Sequence, residues 1–363
     1  MTRATNLILL CVMFLVVWPV QGQTPTTAED YVNRGNARDG KGDYDGALSD
    51  YAKAIELAPR APDPYYNRGL ARNKKGDLDG AISDYTKAIE LEPRYIQAHN
   101  NRGNARKAKG DFDGAIADYT KAIELNPRFA QAYYNRASGR AGKGDFDGAI
   151  SDYTKAIEIE PRYIQAYNNR GLARFRKNDF DGAISDYTKA IEIEPGYIPA
   201  YNNRGLAREN KRDLDGAISD YTKAIDIDPR YPRAYYNRRG LARSQKGDLE
   251  GAISDYTKAI EIEPRDAQSY NNVAWIWATS PKEPVRDGKK AVEYARKAAE
   301  LTNWEDPLVL DTLAAAYAEA GNFDEAIKWE NKALAFPGFA KDAGEEARQR
   351  LQLYSQKKPY RQQ

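Results

Sequence analysis

The chain of 363 residues holds one cysteine, one histidine and two methionines, and its 55 Lys and Arg nearly balance its 53 Asp and Glu. Each scarcity excludes something. A single cysteine builds neither a disulfide framework nor a cysteine-based zinc site. A single histidine rules out His-pair metal sites and leaves at most one place for histidine-assisted nucleophilic catalysis. A net charge of +2 gives no field that steers polyanions, so nucleic acid is not an expected partner. The extended apolar run Leu7–Val17 has eleven residues, against the roughly 20 that a membrane span needs. No Gly-x-Ser-x-Gly elbow, phosphate loop or dinucleotide fingerprint occurs, so no enzyme activity and no cofactor are expected.

That short run reads as a targeting segment. Arg3 supplies a positive start, Pro19 breaks the apolar stretch, and Val20-Gln21-Gly22 places aliphatic and small side chains before Gln23. Residues 1–22 are therefore expected to be a secretory signal, and the mature protein periplasmic or secreted. A retained anchor is the rival reading, and a lipoprotein is disfavoured because Leu10 precedes Cys11. Cleavage after Gly22 removes the only cysteine, which suits an oxidising compartment.

The rest of the chain is periodic. Ile-Ser-Asp-Tyr starts at Ile82, Ile150, Ile184, Ile218 and Ile253, with variants at Leu48 and Ile116. The glycines ahead of these strings (Gly46, Gly80, Gly114, Gly148, Gly182, Gly216 and Gly251) are 34 residues apart five times and 35 once. Residues 148–174 and 182–208 differ only at Arg162/Gly196 and Gln165/Pro199. Each period predicts two helices. In the fourth, a helix over about 132–143 ends at Gly144, a residue suited to left-handed backbone. Asp145 then caps a second helix, with Phe146, Ala149, Ile150, Tyr153, Ala156 and Ile157 on one face. Pro161 stops it. No strand pattern appears. A helix pair with one apolar face cannot bury that face alone, so neighbouring pairs must stack.

This pattern resembles the tetratricopeptide repeat (TPR) family over about 28–337. Counting Ala130 as first of its repeat, Tyr133 fills the fourth place, Ala137 the eighth, Ala149 the twentieth, Tyr153 the twenty-fourth, Ala156 the twenty-seventh and Pro161 the thirty-second. The resemblance implies an all-α, right-handed superhelical solenoid of antiparallel helix pairs with a concave groove. The expected organisation is a signal over 1–22, seven regular repeats over 28–266, two diverged repeats over 267–338, and a capping helix and tail over 339–363.

Departures from the family pattern carry information. The seventh place, usually large and apolar, is arginine: Arg34, Arg68, Arg102, Arg136, Arg170, Arg204 and Arg238. The eleventh is arginine from Arg38 to Arg208, with Arg243 displaced by an insertion. Second helices carry Asp50, Asp84, Asp118, Asp152, Asp186, Asp220 and Asp255. Two readings stand: structural pairing of half-buried guanidiniums with these carboxylates, or an anion-binding groove. Gly three residues after each capping Asp forgoes a capping box and costs up to about 1 kcal/mol of helix propensity; close approach of neighbouring helices is the expected reason. Asp111-x-Asp113-Gly114 resembles a calcium loop faintly, without the spacing or terminal Glu of one, and no metal site is expected. Asn178 and Arg212 replace Gly144 in the next repeats. An extra residue at Arg238-Arg239 predicts a bulge or a shifted first helix.

The C-terminal part differs. Trp275, Trp277, Trp304 and Trp329 lie there, as does an inserted loop from Ser280 to Gly288, and a final helix is expected over about 340–356. The tryptophans read as cap core or, alternatively, as an aromatic docking patch. His99 replaces the usual Tyr of the fourth place and reads as a packing residue.

The resemblance implies a groove lined by the second, fifth, ninth and twelfth places. Candidate lining residues are Gln131 and Gln165 at the second, Tyr66, Asn100, Tyr134, Asn168, Asn202 and Tyr236 at the fifth, and Asn104 at the ninth. Asn also recurs at the sixth, from Asn33 to Asn237. The lysines of the family's carboxylate clamp are missing from the second and fifth places. Three functions remain in view: a cell-envelope scaffold holding a protein or extended peptide, a carbohydrate or cell-wall binder using the Tyr/Asn lining, and a self-associating structural solenoid, which admits a homo-oligomer.

Overall fold

The structure, a computed structural model, describes residues 25–229 and 233–362. The expected signal over 1–22 lies outside the described residues, as do the side chains of Arg233 and Asn237. Every element among the described residues is helical, as the periodicity predicts. The chain divides into two compact bodies at Pro127/Arg128. In the first, α1 (Ala28–Asp39) pairs with α2 (Tyr44–Leu57), α3 (Pro62–Lys74) with α4 (Leu78–Leu91), and α5 (Ile96–Ala108) with α6 (Phe112–Leu125). In the second, α7 (Ala130–Gly142) pairs with α8 (Phe146–Ile159), α9 (Ile164–Arg176) with α10 (Phe180–Ile193), and α11 (Ile198–Asn210) with α12 (Leu214–Ile227). It continues with α13 (Arg233–Lys246) and α14 (Leu249–Ile262), α15 (Ala267–Thr279) and α16 (Gly288–Leu301), α17 (Pro307–Glu319) and α18 (Phe323–Leu334), then α19 (Pro337–Asp342) and α20 (Gly344–Ser355). First helices of successive pairs also meet directly: α1 with α3 and α3 with α5 in one body, α7 with α9, α9 with α11 and α15 with α17 in the other.

The turn within each of the seven regular pairs follows one recipe. Gly144 has φ +82°, and Asn178 and Arg212 hold the same left-handed place at φ +63° and +61°. Asp145 then caps α8, its Oδ1 accepting the Gly148 N–H at 2.9 Å. The reason for the capping glycine is local. A Cβ on Gly148 would land on the Asp145 carboxylate and within 3.0 Å of Arg140 Cδ. The capping side chain and an arginine stem exclude it, rather than the approach of a neighbouring helix expected from sequence.

The core is built from small-against-large contacts. In six of the seven regular repeats the second-helix tyrosine is buried against a glycine of the first, Ala137 standing there in the fourth; a Cβ on Gly171 would fall 2.7 Å from Tyr187 Cε1. The hydroxyls find partners at the ninth place: Tyr51 donates to Asn36 Oδ1 and Tyr119 to Asn104 Oδ1, both at 2.8 Å. The second repeat has Leu70 there, and the buried Tyr85 hydroxyl has no partner.

Two expectations are decided. Of the bulge or shifted first helix expected at Arg238–Arg239, no bulge forms, because α13 runs through both, and the first helix is shifted by one residue. The seventh-place role passes to Arg239, which pairs with Asp255 and lies over Tyr236, so the extra residue is taken up before Tyr236. The single C-terminal helix is two, broken at Ala343, whose N–H closes α19 on the Phe339 carbonyl. The break lets Phe339 pack with Leu310 and Ala333 while Tyr354 packs with Ala314 and Ala326.

Under that cap sits a buried cluster. Arg350 Nε lies 2.9 Å from Asp311 Oδ1 and 3.3 Å from Glu330 Oε1, and Glu330 Oε2 has no partner. Burial, then the adjacent Asp311 charge, pushes the Glu330 carboxyl up to about 10, so it carries a proton at neutral pH. Because its ionisation is displaced upward on folding, its contribution is complete below about pH 4.5 and is lost as the pH rises towards 10.

Two outcomes are expected. Leu70→Asn should raise stability by about 1 kcal/mol by satisfying Tyr85, measured by denaturant unfolding; no gain would show that the hydroxyl is already satisfied. Glu330→Gln, neutral at every pH, should flatten the fall in stability between pH 6 and 9, and a slope equal to wild type would discount the cluster.

Candidate ligand face of the first helices

The arginines and aspartates of each repeat come together. Arg68, Arg102, Arg136, Arg170 and Arg204 each place Nη2 2.6–2.7 Å from Oδ1 of Asp84, Asp118, Asp152, Asp186 and Asp220 in the same order. A turn later, Arg72, Arg106, Arg140, Arg174 and Arg208 reach the other oxygen at 2.7–2.9 Å. Every one of these aspartates is buried, and each carboxylate is spent on two guanidiniums. The Arg170 and Arg204 heads also bond back to the preceding repeat, at Thr154 and Thr188 Oγ1. No guanidinium of this set is left facing outward as a simple anion hook.

The fourth-place tyrosines lie beneath these heads. Tyr65, Tyr133, Tyr167, Tyr201 and Tyr236 sit under Arg68, Arg136, Arg170, Arg204 and Arg239 at 5.5–5.8 Å. Tyr236, expected to line the groove, therefore occupies the fourth place and not the fifth. Arg238 correspondingly takes the sixth, where it faces Glu209 and Tyr221.

At the fifth and sixth places the asparagines form a relay. In the second body Asn202 Nδ2 donates to Asn203 Oδ1, Asn203 to Asn168, Asn168 to Asn169, and Asn169 to the Tyr134 hydroxyl, at 2.9–3.3 Å. In the first body Asn100 donates to Asn101, and Asn101 to Tyr66. Tyr134 stacks on Tyr163 with centroids 5.0 Å apart, and Tyr66 packs on Tyr95 at 4.8 Å. The Tyr163 hydroxyl donates to Gln131, whose amide in turn donates to Asn135. Asn100 and Asn168 are buried, Asn104 is engaged by Tyr119, and Gln165 is exposed. The candidate lining is thus largely a self-satisfied polar floor. Burial raises the Tyr66 and Tyr134 hydroxyls above the usual tyrosine range, so both remain neutral while they accept from Asn101 and Asn169.

What faces outward on this floor is apolar. Leu172 is 40% exposed and Leu241 46%, both at the ninth place. Beside Leu172 lies a cleft of about 430 Å³ lined by Ser138, Phe146, Tyr153, Asn169 and Arg176. Sequence reasoning missed it; the signal was the change at the ninth place from Asn to the smaller Ser138 and the apolar Leu172, both of which line the cleft.

The tetratricopeptide repeat model matches residues 96–129, 164–197, 198–231 and 234–266, and the TPR repeat model matches 35–76, 71–110 and 142–178. The chain belongs to the tetratricopeptide repeat family. Among solved structures, the chain is similar to the C-terminal part of a TPR repeat-containing protein from Cytophaga hutchinsonii (18% identity, 66% of this chain and 98% of that one, TM-score 0.56). It is also similar to a tetratricopeptide repeat protein from Parabacteroides merdae (19% identity, 68% and 96%, TM-score 0.52). MamA is 31% identical over 47% of this chain and 92% of its own, with a TM-score of 0.44. Against curated proteins the chain finds no match.

In this TPR chain the one histidine is a variation on the arginine cluster. His99 is buried, its Nε2 3.1 Å from the Pro93 carbonyl and its Nδ1 4.0 Å from Asp118 Oδ1. Burial pushes the Asp118 carboxyl up, but His99 and the guanidiniums of Arg102 and Arg106 outweigh it and hold it below the usual carboxylate range. Among the described residues no group of three His, Cys, Asp or Glu is placed to hold a metal, and no helix is long and apolar enough to cross a membrane. The tryptophans pack together: Trp304 stacks on Trp329 at 5.0 Å, and Trp277 meets Tyr294 edge-on at 4.9 Å.

Removing one carboxylate strands two arginines. Asp152→Ala should cost roughly 3 kcal/mol in denaturant unfolding, and a cost under about 1 kcal/mol, the range of exposed ion pairs, would show that the cluster is solvent-screened.

Proposed function

We propose that this TPR protein is a non-catalytic scaffold of the bacterial cell envelope, exported by the signal at 1–22, that holds an extended segment of a partner protein on its first-helix face. The observation that supports the reading is the outward pairing of leucines, Leu172 exposed and Leu206 half-buried, with the amides Asn169 and Asn203 on α9 and α11. Leucine side chains offer apolar anchor pockets, and amides match the donors and acceptors of an extended backbone. A peptide is favoured over a carbohydrate because the Tyr66 and Tyr134 rings are already stacked on Tyr95 and Tyr163, which removes them as sugar platforms. Self-association has no specific observation behind it.

The test is affinity capture from the envelope fraction with the wild-type chain and a Leu172→Asp/Leu206→Asp variant, both surfaces being partly exposed. The variant should keep its melting curve and lose at least about tenfold in partner recovery, the effect of one well-placed apolar anchor. Equal recovery moves the site off this face. N-terminal sequencing of the exported protein should begin at Gln23; a start at Met1 removes the signal reading.

A further inference from the structure

The end of the chain returns to the first-helix face. Lys357 adopts left-handed backbone at φ +56°, and the Lys358 N–H closes on the Leu353 carbonyl, so α20 ends and the chain reverses. Residues 358–362 then run without helical structure across α17 to α15. Six residues from Lys357 to Gln362 reach about 20 Å when extended, enough to cross two neighbouring helices. The Tyr360 ring sits 6.1 Å from Trp275 and beneath the Arg350 guanidinium at 5.6 Å. Arg361 Nη1 lies 2.6 Å from Glu319 Oε2 and reaches the Ala278 carbonyl at 3.5 Å. The Gln362 N–H donates to the Thr279 carbonyl at 2.8 Å, and its side-chain oxygen accepts from Trp275 Nε1 at 3.3 Å.

These contacts fall at meaningful places. Counting Ala267 as first of its repeat, Trp275 and Ala278 are its ninth and twelfth residues, the places that Leu172 and Phe175 hold on α9. The tail is therefore an extended peptide seated on first-helix positions, with an aromatic ring in one slot, a guanidinium on a carboxylate, and a backbone N–H on a helix-end carbonyl. Glu319 is prepared for the guanidinium: Arg286 of the inserted loop holds its other oxygen at 3.1 Å. The seat belongs to α15, α17 and the inserted loop, the part of the array that departs most from the repeat. The strap itself is lightly held, with one backbone hydrogen bond to α15 and an Arg361 side chain still 34% exposed.

We propose that residues 357–362 are an internal ligand of a peptide-binding seat on α15 and α17, and that the seat's external occupant is an extended protein segment carrying an aromatic residue followed by arginine, which binds by displacing the tail. The proposal rests on the reading of the first-helix face as peptide-binding and supplies the side-chain chemistry at this end of the array. An aromatic–arginine pair is required because Trp275 and Arg350 frame a ring, and Glu319 accepts a guanidinium one residue later.

The test uses full-length chains and a labelled peptide of sequence Lys-Lys-Pro-Tyr-Arg-Gln-Gln, copied from residues 357–363. In a Tyr360→Ala/Arg361→Ala chain the seat is vacated, and the peptide should bind by fluorescence anisotropy at least tenfold more tightly than to wild type. Peptides with alanine for tyrosine or arginine should fail, and adding Trp275→Ala to the released chain should abolish binding while its helical circular dichroism is retained. Equal binding to released and wild-type chains, or no binding by a released chain that melts like wild type, overturns the proposal. So does a dimer mass in light scattering for the wild-type chain, which would mean that tails exchange between copies. If the Leu172→Asp/Leu206→Asp variant loses its partner while the peptide ignores the tail variants, the first-helix reading survives and this one falls.

Discussion

The repeating unit is organised around a buried carboxylate shared by two guanidiniums. An aspartate taken out of water on the second helix is costly unless both of its oxygens are engaged, and two arginines one turn apart on the first helix engage both, with the arginine stems lying where other TPR repeats place apolar side chains. That bond fixes the rotation of the two helices about their axes. With the rotation set, the second-helix tyrosine falls on a glycine of the first helix, the fourth-place tyrosine falls under a guanidinium, and the fifth- and sixth-place asparagines are left together on the remaining side. The amide relay is thus a consequence of the ion pair. Threonine contacts such as Arg170 to Thr154 carry the same arginine into the previous repeat and set the stacking.

The helices were legible because their signals are local. The 34-residue period, the capping aspartates and the left-handed glycines mark each pair, and the structure follows them through Asn178 and Arg212. The pairing of arginine with aspartate was one of two open readings and was decided by distance alone. Other features depended on direction, which spacing does not carry. The insertion near Arg238 moved the register of Tyr236 from a groove place to a stacking place, because the extra residue is taken up before it. Asn104 reads from its position as a ligand contact, yet its side chain turns to a buried tyrosine. The capping glycines looked like helix-contact residues, whereas the crowding comes from their own cap and an arginine stem. The C-terminal tail was least visible, since a short polar segment has no periodicity and its meaning comes from where the chain happens to return.

The two ends of the array solve different problems. The regular repeats satisfy most of their first-helix amides internally, leave the Tyr85 hydroxyl without a partner, and present leucine beside amide. The last pairs exchange the arginine places for Val273 and Leu313, gather tryptophans, and move their ionic chemistry to Arg350, Glu319 and Arg361. Outward-facing ion pairs with the tail are therefore gathered at one end, and exposed leucines such as Leu172 and Leu241 lie along the rest.

The ion-pair cluster has a further consequence. Its aspartate and both arginines come from the same 34-residue segment, so the buried carboxylate of each copy is paired within that copy, and the ion pairs that cross from one copy to the next, such as Lys177 with Asp147 and Lys211 with Asp181, lie at the exposed surface. A gene encoding such an array can gain or lose a copy by recombination between near-identical segments, as 148–174 and 182–208 are, without stranding a buried charge at either seam. The length of the array is then a property that heredity can adjust in whole steps, independently of the end where Arg286 and Arg361 meet Glu319.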